Sequence, residues 1–141
     1  MSEKTKQQRE QGLIDRIKNH PYGQLIGIEV GEDGDEEPAF YIDIENRHRN
    51  PGGIMHGGVA LALADTAGGY SVVDGTDFFV TLNQEYHFLK RVQVGDRLFA
   101  KAKLISDGYK IKVVEVEMMV GDEKVGHAVI TYYRTKGSNQ A

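Results

Sequence analysis

The sequence predicts an α+β domain in which one long helix packs on an antiparallel sheet of five to six strands. An Ala/Leu-rich stretch from Val59 to about Val73 is long and apolar enough to be the helix of the core. Four strand-like segments follow it: Phe78–Leu89, Arg97–Ser106, Lys110–Val120 and Lys124–Arg134. Turn signals at Val94-Gly95-Asp96, Asp107-Gly108 and Gly121-Asp122 separate them, so consecutive strands are expected to form a meander.

The remaining elements follow in chain order. Residues 3–19 are polar with Leu13, Ile14 and Ile17 on one side, which predicts a short amphipathic helix as an N-terminal extension over residues 1–20. It is expected to stop at His20-Pro21, because proline disfavours helical geometry at the residue before it. Gln24–Val30 reads as a short strand. Gly31-Glu-Asp-Gly-Asp-Glu-Glu-Pro38 reads as a solvated hairpin loop, since it lacks the regular ligand spacing of a calcium loop. Ala39–Glu45 alternates Phe40, Ile42 and Ile44 against Tyr41, Asp43 and Glu45, the period of a strand with one buried face. Lys110–Met118 repeats that period, broken only at Val113-Val114. Residues 136–141 are expected to be a frayed tail.

Composition narrows the function. A chain of 141 residues forms one domain, 1–141, with a real core. A net charge of −4, with Lys90-Arg91 the one adjacent pair of basic residues, argues against a nucleic-acid partner. The absence of cysteine excludes disulfides, thiolate zinc sites and a cysteine nucleophile. His20, His48, His87 and His127 show no ligand spacing, so no metal is expected. No apolar run approaches the ~20 residues that span a bilayer. The charged N-terminus does not resemble a secretion signal, and a cytoplasmic protein without membrane attachment is expected.

The chemistry concentrates in Asn50-Pro-Gly-Gly-Ile-Met-His-Gly-Gly-Val-Ala-Leu-Ala-Leu-Ala-Asp65. A glycine-rich turn bearing an amide and an imidazole leads into a helix whose start presents unpaired N–H groups and partial positive charge. That suits an oxygen that becomes negative during a reaction. Two turns on, Asp65 is a lone acid flanked by Leu61, Leu63, Ala64 and Ala67, and such a group is costly unless something uses it. Gly57 and Gly58 let a ligand approach the backbone with no Cβ in the way. His56 reads equally as a cap holding the turn or as a contact to substrate.

This spacing, Asn-x(5)-His-Gly-Gly-x(6)-Asp followed by Thr66-Ala-Gly-Gly69, resembles the hotdog-fold acyl-CoA thioesterases of the PaaI type. A second matching stretch runs from Val80-Thr81 to Val94-Gly95-Asp96. The resemblance implies hydrolysis of an acyl-CoA to the free acid and coenzyme A, with no cofactor beyond the coenzyme A of the substrate itself. It implies that Asn50 and the Gly57 N–H polarise the thioester carbonyl and that His56 supports the oxyanion side. Asp65 would be base or nucleophile, and Thr81 would help position water. Gly58, Thr66, Lys90 and Arg91 are further candidates for binding substrate, the last two through phosphates, although basic residues at strand ends are commonly just solvated. One departure is Tyr86-His-Phe-Leu-Lys-Arg91, where many relatives carry a proline after the aromatic residue.

Spacing then bears on assembly. Gly58 and Asp65 share a helix face with Ala62 and Gly69 but lie about 10 Å apart along the axis. One reacting carbon cannot be within ~3 Å of both on a single helix. A second, antiparallel copy of the helix would bring Asp65 of one subunit to the helix start of the other, so a homodimer with two composite sites is expected. Pairing of two dimers into a homotetramer is implied by the resemblance alone. A hotdog domain that binds or senses acyl-CoA without hydrolysing it is the alternative.

Overall fold

Helix formation in the central segment begins at His56. Its backbone is extended (φ −65°, ψ 132°) and its side chain accepts a hydrogen bond from the Gly58 N–H, which caps the helix Gly57–Ser71. Ala60, Leu63, Ala64, Ala67 and Gly68 recur at helical spacing and are the buried positions of that helix. They share one core with Ile42, Leu98, Val114, Val116, Met118 and Ile130, whose side chains are fully removed from water. At about 1.5–3 kcal/mol for each fully buried aliphatic side chain, this contact is the main force holding helix to sheet.

The computed structural model describes residues 19–31, 39–73 and 77–136. The expected amphipathic helix over 3–19, the interior of the acidic loop and the tail beyond residue 136 lie outside those residues. The described elements are α1 (Pro21–Ile26), β1 (Glu29–Gly31), β2 (Ala39–Asp43), a 3-10 turn (Asn46–His48), α2 (Gly57–Ser71), β3 (Phe78–Phe88), β4 (Arg97–Asp107), β5 (Ile111–Val120) and β6 (Glu123–Thr135). They form the expected α+β hotdog arrangement, with α2 lying on a six-stranded sheet of order β1-β2-β4-β5-β6-β3. Every neighbouring pair is antiparallel.

Two expectations are corrected. Gln24–Val30 is not a strand: Pro21 opens a helix of six residues, a position where its missing N–H costs nothing. Gly27 then ends that helix in the left-handed region (φ 82°), and only Glu29–Gly31 is extended. The meander is also incomplete. It holds for β4, β5 and β6, but β3 pairs with β6 at the far edge and not with β4. Gly95 and Asp96 make a turn closed by the Asp96 N–H on the Gln93 carbonyl, yet the Gly95 N–H and the Asp96 carbonyl bond to Ile44, just past the end of β2. Between β5 and β6 the hairpin expected at Gly121-Asp122 forms, with Gly121 (φ 59°) at the first turn position.

Candidate functional site

The loop ahead of α2 is closed by its own amide groups. The Asn50 N–H donates to the Ile54 carbonyl at 2.7 Å, and the Gly53 N–H donates to the Asn50 carbonyl at 3.1 Å. Gly53 takes φ 91°, which a side chain would disfavour. The Asn50 side-chain oxygen accepts from the Ile54 N–H at 3.2 Å. That bond fixes which way the amide faces and leaves its NH2 group as the available donor.

Two buried contacts steady the loop from behind. His48 accepts the Glu45 N–H on Nδ1 and meets the Ile26 carbonyl with Nε2, both at 2.8 Å. The neutral ring therefore carries its proton on Nε2 and ties α1 to the segment entering the loop. The His48 carbonyl in turn accepts the His56 N–H at 2.7 Å.

At the helix start the donors divide unequally. The Gly58 N–H is bound by His56 Nδ1 at 2.8 Å, and the Val59 N–H by the His56 carbonyl at 3.0 Å. The Gly57 N–H has no acceptor among the described residues. The same cap makes His56 Nδ1 an acceptor, so the neutral ring exposes an Nε2–H donor. Gly57 has the Phe88 ring beside it, and a Cβ there would stand 2.9 Å from the ring edge. Phe88 packs on Tyr86 with ring centroids 4.4 Å apart, and burial pushes the Tyr86 phenol up to about 12.

Asp65 is half-buried on α2, and its Oδ1 is held by two hydroxyls. Thr81 Oγ1, on β3, donates to it at 2.7 Å. The Tyr132 hydroxyl, on β6, reaches the same oxygen at 3.1 Å and the Asp65 backbone carbonyl at 2.9 Å. Burial pushes the Tyr132 phenol far above its ordinary range, and the Asp65 carboxylate beside it pushes the same way, so the hydroxyl is a permanent donor. Sequence reasoning missed Tyr132. Its signal was present: it continues the inward-facing series Ala128, Ile130, and a hydroxyl carried inward needs a partner.

These groups fall in two separate clefts. One, of about 570 Å³, runs between the second half of α2 and the start of β3, and includes Asp65, Thr66, Thr81 and Tyr132 on its wall. Tyr70, Phe78 and Phe79 contribute aromatic wall to that cleft. The other, of about 440 Å³, is lined by Asn50, Gly57, Phe88, Lys90 and Arg91 among others. His56 and Gly58 line neither cleft. Lys90 is also paired with Glu123 at 3.0 Å, both side chains being exposed. Gly57 and Asp65 are eight residues apart on one helix, or about 12 Å along its axis. Within one chain the Gly57 N–H and the Asp65 carboxylate open onto different clefts. No helix among the described residues is long and apolar enough to cross a membrane.

The thioesterase superfamily model matches residues 52–127. The chain is 31% identical over 134 residues to the transcription factor FapR of an Exiguobacterium species, covering 91% of this chain and 68% of that protein. Among solved structures, the PaaI protein from the phenylacetic acid degradation operon of E. coli superposes with a TM-score of 0.81 at 21% identity, covering 96% of this chain and 98% of that one. The BH2602 protein of Bacillus halodurans, solved with CoA, gives a TM-score of 0.66 at 25% identity, covering 75% of this chain and 71% of that one.

Proposed function

The chain belongs to the thioesterase superfamily, and we propose that it hydrolyses an acyl-CoA thioester in a site completed by a second copy of itself. The observation that carries this is the presence on one helix of a Gly57 N–H with no acceptor among the described residues and a hydroxyl-clamped carboxylate at Asp65, each at a cleft of its own. The thioester carbonyl lies against the Gly57 N–H and the Asn50 amide of one subunit. Asp65 of the other subunit takes a proton from water as the water oxygen bonds to the carbonyl carbon. The oxyanion rests on the backbone and amide donors, each worth roughly 3–4 kcal/mol of barrier in comparable sites. Collapse breaks the C–S bond, the proton held by Asp65 passes to the departing thiolate, and coenzyme A leaves as the thiol with the free acid remaining.

Several features support this reading. β3, an edge strand among the described residues, leaves Phe78, Val80 and Leu82 half exposed, which suits a second copy. The BH2602 structure with CoA supports a coenzyme A ester as ligand. His56 Nε2–H is a further donor on the oxyanion side, and Thr66 lines the acyl cleft. Arg91 faces the coenzyme A phosphates, with Lys90 joining once released from Glu123. Asp65→Asn is expected to cut kcat at least a hundredfold while the assembly stays folded, measured by thiol release across a panel of acyl-CoAs and by size-exclusion chromatography. Near-normal release in that variant would remove Asp65 from the mechanism.

The similarity to a transcription factor favours one other reading, a domain that binds acyl-CoA without hydrolysing it. Micromolar or tighter binding of acyl-CoA with no thiol released from any member of the panel would establish that reading instead.

A further inference from the structure

We infer that Tyr132 is a positioning residue for Asp65, selecting which carboxylate oxygen faces the reacting carbon, and that Gly68 is the space that lets it do so. The inference rests on the thioesterase reading and extends it. An aspartate's terminal torsion is broad and roughly two-fold, so rotamer preference alone does not hold the carboxylate plane. Here two hydroxyls hold it. Thr81 Oγ1 at 2.7 Å and the Tyr132 hydroxyl at 3.1 Å both donate to Oδ1, and no described residue donates to Oδ2. Oδ2 is therefore the oxygen left for the proton of the attacking water. The one Tyr132 proton is shared between Oδ1 and the Asp65 carbonyl, which lies at 2.9 Å, so a bifurcated donor spans side chain and backbone of the same residue.

The fold alone does not call for a hydroxyl at this position. Tyr132 is 2% exposed among Ala128 and Ile130, where phenylalanine would fill the same space. Burying the extra hydroxyl costs about 1–3 kcal/mol unless it is bonded. Gly68, one turn beyond Asp65 on α2, is the matching feature: a Cβ there would fall inside van der Waals contact of the Tyr132 hydroxyl. The next nearest ring atom, Cζ, would be 3.3 Å away, a tight contact that a shift of a few tenths of an ångström relieves, so the hydroxyl is the principal conflict.

The test compares Tyr132→Phe, Gly68→Ala and the double variant, reading kcat and KM for thiol release together with urea unfolding. Tyr132→Phe is expected to lower kcat about ten- to a hundredfold, the scale of a small misplacement of a reacting group, with KM within twofold and the fold intact. Gly68→Ala is expected to lower kcat comparably by displacing the hydroxyl. Added to Tyr132→Phe it is expected to change kcat less than twofold, because the principal clash is gone and the remaining ring contacts need only a few tenths of an ångström. A purely structural tyrosine would shift the urea midpoint and leave kcat untouched. Full kcat in Tyr132→Phe, or a further tenfold drop in the double variant, overturns the inference. Absence of thiol release from the wild-type protein overturns the thioesterase reading and this one with it; release by the wild type matched by Tyr132→Phe overturns this one alone.

Discussion

His56 shows how one side chain can read two ways in a sequence. As a histidine between a glycine turn and a helix it suited both a cap and a substrate contact. The bond from the Gly58 N–H to Nδ1 at 2.8 Å assigns one ring nitrogen to the cap and leaves the other facing outward. The cap can be tested apart from catalysis. His56→Ala is expected to cost about 1 kcal/mol of stability, and His56→Asn, which can still cap, to recover most of it, read as urea midpoints. Asp65 was legible because a lone acid on an apolar helix is conspicuous. For Tyr132 the inward-facing series marks a hydroxyl that needs a partner, but nothing local says that the partner is a carboxylate 67 residues away.

Among elements, patterning was read well and pairing was not. The helix and the four long strands fall within a few residues of their expected limits, because 3.6- and 2-residue periodicity and turn residues are local signals. The partner of β3 is a non-local choice. The turn before Asp96 looks like a hairpin in sequence, while the chain crosses over and leaves β3 beside β6. Pro21 was ambiguous for a related reason, since proline ends one helix as readily as it opens another. The link between α1 and the site loop is equally non-local. His48, 3% exposed, joins the Glu45 N–H to the Ile26 carbonyl. His48→Ala removes both bonds and the buried ring that made them, at about 0.5–1.5 kcal/mol for each bond. A lower melting temperature and early proteolytic cleavage near α1 are expected, with the sheet core still protected from hydrogen exchange.

For the whole molecule, the decisive feature is that α2 carries both the Gly57 N–H and Asp65 and keeps them about 12 Å apart. Clefts around 570 and 440 Å³ open from different stretches of that helix, one beside Asp65 and one beside Asn50 and Gly57. If two copies complete each other, damage becomes a property of pairings rather than of chains. Consider two inactive variants, Asp65→Asn and Asn50→Ala. In a mixed dimer one composite site takes both lesions and the other takes neither. Co-expression in equal amounts is therefore expected to restore about a quarter of wild-type thiol release, since half the dimers are mixed and each of those has one sound site. The chain carrying both substitutions, co-expressed with itself, is expected to restore nothing. In genetic terms, two defective alleles would rescue one another, and two copies of the doubly defective allele never would.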